Sequence, residues 1–253
     1  MIYMKRIRIP TLPTKQPRRL YAWLPADYAQ TDRRYPVLYM FDGHNVFYHR
    51  HATYGKSWGM REYLKKTELP LIVVAVECNH DGNRRLNEYA PWTFFGGRFG
   101  LIRGQGELTM DWIVNTLKPA VDRSFRTLPD REHTMIAGSS MGGLMSLWAA
   151  VAYNATFSRA AVLSPTLWAA GTHMKALIPA TPLAQPTRIY MDLGDAEFPK
   201  PIVAHERKTM YGTAELLAAA GADVDCRMIP GAKHCEACWE KRIPVFMDCL
   251  RFD

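Results

Sequence analysis

The chain has 253 residues, 48% of them hydrophobic, and a formal net charge of +8; this composition allows one full core and excludes a disordered or fibrous chain. No apolar run approaches the roughly 18 residues of a transmembrane helix, and Met1-Ile2-Tyr3-Met4-Lys5-Arg6-Ile7-Arg8 leads into no apolar h-region or small-residue cleavage site, so a cytoplasmic location and no membrane partner are expected. The arginines are scattered, without a dense run or a nucleic-acid motif, which reads as a solvated basic surface or one suited to an anionic substrate, not a nucleic-acid partner.

In chain order, short β-branched and aromatic runs predict strands at 5–9, 18–24, 37–41, 71–77, 134–137, 160–163, 188–192 and 223–229. Helical spacing predicts helices at 57–66, 107–123, 141–151, 202–220 and 239–250. Leu71-Ile72-Val73-Val74-Ala75-Val76 and Met135-Ile136-Ala137 do not alternate, as suits central strands covered on both faces. The first two strands fit an antiparallel entry. Strand and helix then alternate, which argues for a single α/β domain over 1–253 with a mostly parallel sheet and helices on both faces. Residues 79–106 break the rhythm. They show no clear helix or strand, and Tyr89, Trp92, Phe94, Phe95 and Phe99 make them too apolar for a linker, so an ordered active-site loop is expected.

The strongest chemical signal is Gly138-Ser139-Ser140-Met141-Gly142, a G-x-S-x-G pattern between the strand ending at Ala137 and the helix starting near Met141. A serine at such a strand-to-helix turn is presented at the helix N-terminus, where free N–H groups face developing negative charge. A serine hydroxyl needs a base to take its proton. In this fold the order is Ser, acid, His, and His234 lies in a loop directly after the last predicted strand. His205 falls on a polar helix face, and His173 follows no strand. The acid should follow the strand at 188–192, where Gly194-Asp195-Ala196-Glu197 offers two carboxylates that spacing alone does not separate. Its task is to orient the imidazole.

The cysteines are Cys78, Cys226, Cys235, Cys238 and Cys249, an odd count without a disulfide framework. His234-Cys235-x-x-Cys238 could open a zinc site, but no second ligand pair follows. Free thiols, no metal and no cofactor are expected.

Several segments together resemble the esterase family of α/β-hydrolases that includes esterase D, enterochelin esterases and feruloyl-type carbohydrate esterases. They are Pro36-Val37-Leu38-Tyr39-Met40-Phe41-Asp42-Gly43-His44-Asn45, Arg85-Leu86-Asn87-Glu88-Tyr89-Ala90-Pro91, Leu117-Lys118-Pro119-Ala120-Val121-Asp122 and Arg126-Thr127-Leu128-Pro129-Asp130-Arg131. The elbow itself, Leu163-Ser164-Pro165-Thr166-Leu167-Trp168 and His234-Cys235-Glu236-Ala237-Cys238-Trp239 complete the set. The resemblance implies an α/β-hydrolase fold and a serine esterase acting through an acyl-enzyme, with siderophore or carbohydrate esters among its substrate classes. It implies Glu197 as the acid, because relatives carry it as the fourth residue of a Gly-x-x-acid turn, with Asp195 as the alternative. Some relatives work as a Ser–His dyad. The oxyanion hole falls to the N–H groups of Met141 and His44, with Gly43 as the alternative. Two departures flank this site: His44 stands where relatives often have Gln, and Cys235-Glu236-Ala237-Cys238 where they often have Asn-Glu-Ala-Ala.

Tyr89, Arg85, Trp168 and Trp239 are the expected substrate contacts, with Arg84, Arg98 and Arg103 also available to an anionic group. The expected partner is a small-molecule or saccharide ester; nothing in the sequence sets the oligomeric state. An acyltransferase on the same fold and a non-catalytic hydrolase-like binding protein are the competing readings. The latter usually has a broken triad, whereas Ser140, a carboxylate turn and His234 are all present here.

Overall fold

A computed structural model describes residues 1–251 of the chain. Its strands are β1 (Ile2–Ile7), β2 (Arg18–Trp23), β3 (Val37–Met40), β4 (Ile72–Val76), β5 (Phe94–Phe95), β6 (Leu101–Ile102), β7 (Thr134–Ser139), β8 (Arg159–Leu163), β9 (Arg188–Gly194) and β10 (Asp223–Ile229). Eight of them form one sheet in the order β1-β2-β4-β3-β7-β8-β9-β10, leaving β1 and β10 as its edges. The pairs β1–β2 and β2–β4 are antiparallel, and the others in this sheet are parallel. This is the mostly parallel α/β-hydrolase arrangement expected from the alternation of strand and helix.

The period of two along each strand sorts the core into two layers. Val37, Tyr39, Ile72, Val74, Ile136, Val162 and Met191 face the helices around Leu144, Met174 and Met210. Leu38, Met40, Val73, Ala75, Ala137, Leu163 and Tyr190 face the opposite layer of Met60, Leu64, Trp239 and Phe246. The central strands are buried on both sides, which is why their sequences run apolar without alternating.

The departures from the predicted elements have local causes. β1 begins at Ile2 and ends at Ile7, not at 5–9, because its middle residues are exposed on an edge strand and carry little pattern. The predicted helix 239–250 is two helices, Glu236–Glu240 and Ile243–Cys249, since Pro244 fits the opening turn of a helix and not its interior. The predicted helix 107–123 spans Gly106–Ser124 but widens to a π-turn at Ile113–Leu117, just before Pro119, which has no N–H to continue the ladder. A helix at Gly171–Ala180 was hidden by its opening glycine and by Pro179. Residues 79–106 are ordered as a short helix, Arg84–Glu88, followed by the β5–β6 hairpin.

Register carries the fold to the site. Ser139 pairs with Leu163, Leu163 with Asp192, and Gly194 with Ile229. The loops after β7, β8, β9 and β10 therefore leave the sheet side by side, at the C-terminal strand ends where open α/β sheets build their sites. Segment 79–106 is fixed to the sheet by a buried ion pair. Arg18 on β2 forks onto both oxygens of Glu88 at 2.5 Å, and neither side chain is more than 3% exposed. Among the described residues, no helix is long and apolar enough to cross a membrane.

Removing one partner of such a pair leaves a buried charge uncompensated, at a cost of about 3–5 kcal/mol. Glu88→Gln should therefore lower Tm by roughly 10 °C. A melting curve within about 2 °C of wild type would show that segment 79–106 is held by something else.

Candidate active site

Ser140 sits between β7 and the helix Met141–Ala152 with φ 58° and ψ −122°. This left-handed conformation is costly for a residue with a side chain and persists only where its surroundings fix it. Two backbone bonds do so: Ser140 N donates to Leu163 O at 3.0 Å, and Ser140 O accepts from Thr166 N at 3.2 Å. The turn also requires glycine, because a Cβ on Gly138 would lie 2.6 Å from the Gly142 carbonyl carbon. Ser140 Oγ lies 3.4 Å from Thr166 Oγ1.

Ser140, Met141 and His234 line a cavity of about 310 Å³ together with Ser164, Pro165, Thr166, Trp168 and Phe198. Segment 79–106 closes its far side with Leu86, Phe94, Arg98, Phe99 and Ile102.

His234 Nδ1 is 2.8 Å from Glu197 Oε2. The other oxygen, Oε1, accepts from the Gly194 amide at 2.7 Å, the Ser164 hydroxyl at 2.5 Å and Arg242 at 3.3 Å. Burial pushes the Glu197 carboxyl up. The hydrogen bonds from His234 and Ser164 outweigh burial and hold it below the ordinary glutamate value. The alternative acid, Asp195, is exposed, and its Oδ1 accepts from the Gly231 amide at 2.6 Å. It braces the loop before His234 and does not meet the imidazole.

Two residues that sequence reasoning left without a role hold this arrangement. Ser164, itself at φ 45°, donates its hydroxyl proton to Glu197 and accepts from Trp239 Nε1 and Arg242, each at 3.0 Å. Arg242 also reaches Asp192 Oδ1 at 2.8 Å. The Asp192 carboxyl is pushed up to about 6, chiefly by burial. Ser164 lay within a motif of the resembled family, but nothing local marks a serine after an apolar strand as a junction. Arg242 carried no sequence signal.

Three expected substrate contacts are elsewhere. Trp239 is buried, donates to Ser164 and sets its ring edge against His234, with centroids 5.0 Å apart. Tyr89 is buried against Phe41, and its hydroxyl accepts from the Asp42 amide at 3.2 Å. Arg85 grips both oxygens of Asp42 at 2.7 and 2.6 Å. None of the three lines the cavity, because each is committed to another partner: Trp239 to the Ser164 hydroxyl, Arg85 to the Asp42 carboxylate and Tyr89 to the Asp42 amide. Of the named contacts only Trp168 lines it, half-exposed and edge-on to Phe94. Among the arginines of the segment only Arg98 does so; Arg84 pairs with Asp81, and Arg103 is exposed. His173 is exposed and stacks on Trp92, and His205 is exposed on the helix Lys200–Ala219.

Tyr89 and Arg85 thus hold the turn after β3. Asp42 there has φ 54°, and a Cβ on Gly43 would lie 2.7 Å from the backbone of Ala75. The turn packs on the start of the Ser140 helix, since a Cβ on Gly142 would meet Phe41 Cβ at 3.0 Å. His44 and Met141 both fall in the first turn of a helix, where N–H groups have no partner within the helix. His44 is buried, which pushes its imidazole down to about 4.

If Tyr89 supports this turn and does not touch substrate, Tyr89→Phe leaves a buried N–H unpaired, a loss of about 1–3 kcal/mol in stability. It should then lower kcat/KM by the same factor on a preferred ester and on p-nitrophenyl acetate. A loss confined to the preferred ester would return Tyr89 to the pocket.

Residues 13–247 match the family model described as "Putative esterase". Uncharacterized protein YbbA of Bacillus subtilis is 26% identical over 187 residues, 71% of this chain and 69% of YbbA. An IroE-like serine hydrolase from Shewanella oneidensis superposes with a TM-score of 0.78 at 20% identity, over 99% of this chain and 79% of that one. Siderophore hydrolase EstA from Aspergillus nidulans superposes with a TM-score of 0.75 at 16% identity, over 98% and 94%. With the family match spanning nearly the whole described chain, the protein belongs to the family described as "Putative esterase" and is a carboxylic ester hydrolase of the α/β-hydrolase fold.

Proposed function

We propose that the protein is a serine esterase in which Ser140 forms an acyl-enzyme, His234 is the general base and Glu197 orients it. The observation that carries this reading is the 2.8 Å contact of Glu197 with His234 Nδ1, on an imidazole that lines the same cavity as Ser140 and whose Nε2 is not engaged by the acid. His234 takes the proton of Ser140 as its oxygen attacks the ester carbonyl. The N–H groups of Met141 and His44, with Gly43 as the alternative, receive the developing oxyanion. His234 then returns the proton to the leaving alcohol. Water, activated by the same imidazole, releases the acid and frees the serine. Glu197 stays ionised to stabilise the imidazolium formed in each step, and its depressed pKa supports this role.

The substrate we infer is an ester of an aromatic acid that carries negative charge or acidic hydroxyls, of the kind found in siderophores and feruloylated saccharides. A cavity of about 310 Å³ suits one ring-sized acyl group, not a whole macrocycle. Phe94, Phe99, Trp168 and Phe198 offer faces and edges to such a ring, and the exposed Arg98, whose guanidinium lies 4.8 Å from the centroid of the Phe99 ring, offers charge. The likeness in fold to a siderophore hydrolase is consistent with this class.

A fluorophosphonate probe should label the wild type and spare Ser140→Ala. His234→Ala should lower kcat by about four to six orders of magnitude, because base and nucleophile act as a unit. Glu197→Gln should cost up to about 10⁴-fold, while Asp195→Asn should retain most activity. Labelling of Ser140→Ala, or a larger loss for Asp195→Asn than for Glu197→Gln, would overturn the assignment.

Arg98→Ala tests the substrate class. It should lower kcat/KM by about tenfold on feruloyl or catecholate esters, the scale of a partly exposed charge-assisted contact, and leave p-nitrophenyl acetate unchanged. Equal effects on both would remove Arg98 from substrate selection.

A further inference from the structure

One polar cluster near the site is not used by the chemistry above. His44, Cys78 and His80 each place a ligand atom within 4.8 Å of the other two. The sheet brings them together. β3 and β4 are neighbours with Met40 opposite Ala75, so the turn after β3 carrying His44 meets the segment after β4 carrying Cys78 and His80. The two imidazoles stand edge to face with centroids 4.4 Å apart.

The hydrogen bonds around both rings are what a metal site requires. His44 Nε2 lies 3.0 Å from Thr53 Oγ1, and its Nδ1 is buried with no hydrogen-bond partner. An unpartnered polar atom inside a fold is costly, and it calls for an explanation when found in a native structure. His80 Nε2 lies 3.1 Å from Glu77 Oε1. His80 Nε2–H is thus given to the Glu77 carboxylate and its Nδ1 keeps a lone pair, and the His44 tautomer that donates Nε2–H to the Thr53 hydroxyl leaves its Nδ1 lone pair free as well. Metal-binding histidines are held in this way, with the far N–H on a carboxylate, hydroxyl or carbonyl that fixes tautomer and orientation. Glu77 is itself anchored by Arg19, so it is a fixed acceptor. Cys78 is a buried free thiol. His80 is half exposed and provides the route in from solvent.

We propose that His44 Nδ1, Cys78 Sγ and His80 Nδ1 form a binding site for one borderline-soft divalent cation, zinc being the ion that a two-imidazole, one-thiolate set fits. Such a set supplies three corners of a tetrahedron and leaves the fourth to water. Binding is an exchange: the metal–sulfur bond replaces the S–H bond, and the thiol proton passes to solvent. The thiol gives up its hydrogen bond to Asp42 in the process. Asp42 keeps its two-pronged pair with Arg85, so its carboxylate remains compensated beside the new thiolate. The ion clips the turn after β3 to the end of β4. It is separate from the His234-Cys235-x-x-Cys238 run, where the His234 Nδ1 is already taken by Glu197. Binding at this site does not depend on the esterase reading.

The test is zinc titration of the chelator-stripped full chain against a chromophoric competitor, with cobalt as a spectroscopic substitute. The expected result is saturable binding of a single zinc per chain with release of a proton, seen as a buffer-dependent heat. Bound cobalt should show a thiolate-to-metal charge-transfer band. At zinc a hundredfold above Kd, Tm should rise by about 5–10 °C. His80→Ala, a half-exposed position chosen to spare folding, should weaken binding at least a hundredfold, and Cys78→Ser should abolish the charge-transfer band. Glu77→Gln should weaken binding by about 10–100-fold. A Cys235→Ser/Cys238→Ser variant should bind as wild type does. Failure to saturate at a single equivalent, unchanged affinity in His80→Ala, or loss of binding in the Cys235/Cys238 variant would overturn the proposal.

Discussion

At the end of β9 two buried carboxylates share one guanidinium. Asp192 and Glu197 both have fully buried side chains, and Arg242, equally buried, lies 2.8 Å from the first and 3.3 Å from the second. Burial of like charges side by side is strongly unfavourable unless a cation and enough donors surround them. The donors come from four directions: Tyr190, the Ser164 amide and hydroxyl, the Gly194 amide and His234. Arg242 leans toward Asp192, so Glu197 is left with charge to spend on the imidazole. A guanidinium centred on Glu197 would satisfy that carboxylate and weaken its hold on His234. The loops after β8, β9 and β10 can converge only because this network closes.

The second half of the site depends on a different pair. Arg85 and Asp42 fix a left-handed residue in the turn after β3, and Tyr89 takes the amide of that same residue. Segment 79–106 therefore has two tasks. Arg85 and Tyr89 support the turn, while Leu86, Phe94, Arg98, Phe99 and Ile102 line the cavity. Arg18 and Glu88 tie both to β2.

Much of this was legible in the sequence where the physics is local. The apolar strands, the elbow around Ser140 and the placement of His234 after the last strand each follow from a short window of residues, and seven of the eight predicted strands fall at nearly the expected positions. Glu197 and Asp195 could not be separated by spacing, because what distinguishes them is which way the loop after β9 turns, and that is decided by Gly194, Ser164 and Arg242 acting across it. The same limit explains why Tyr89, Arg85 and Trp239 are expected at the substrate although none of them lines the cavity. Their side chains suit ligand binding and internal support equally well, and only tertiary packing tells the two apart. His44, Cys78 and His80 escape a sequence reading for the same reason, since neighbouring strands join positions that are far apart along the chain.

The sheet's open edges have a consequence for how copies of the chain meet. An edge strand presents unpaired N–H and C=O groups on which another strand could template. β1 is exposed through its middle and carries Lys5 and Arg6 there. At the opposite edge β10 bears an Asp225–Arg227 ion pair along the strand, and Asp223 reaches back to Arg188. A second chain adding to either side would have to strip water from these charges before gaining a single ladder bond. Growth of the sheet into an aggregate is thereby discouraged at both ends.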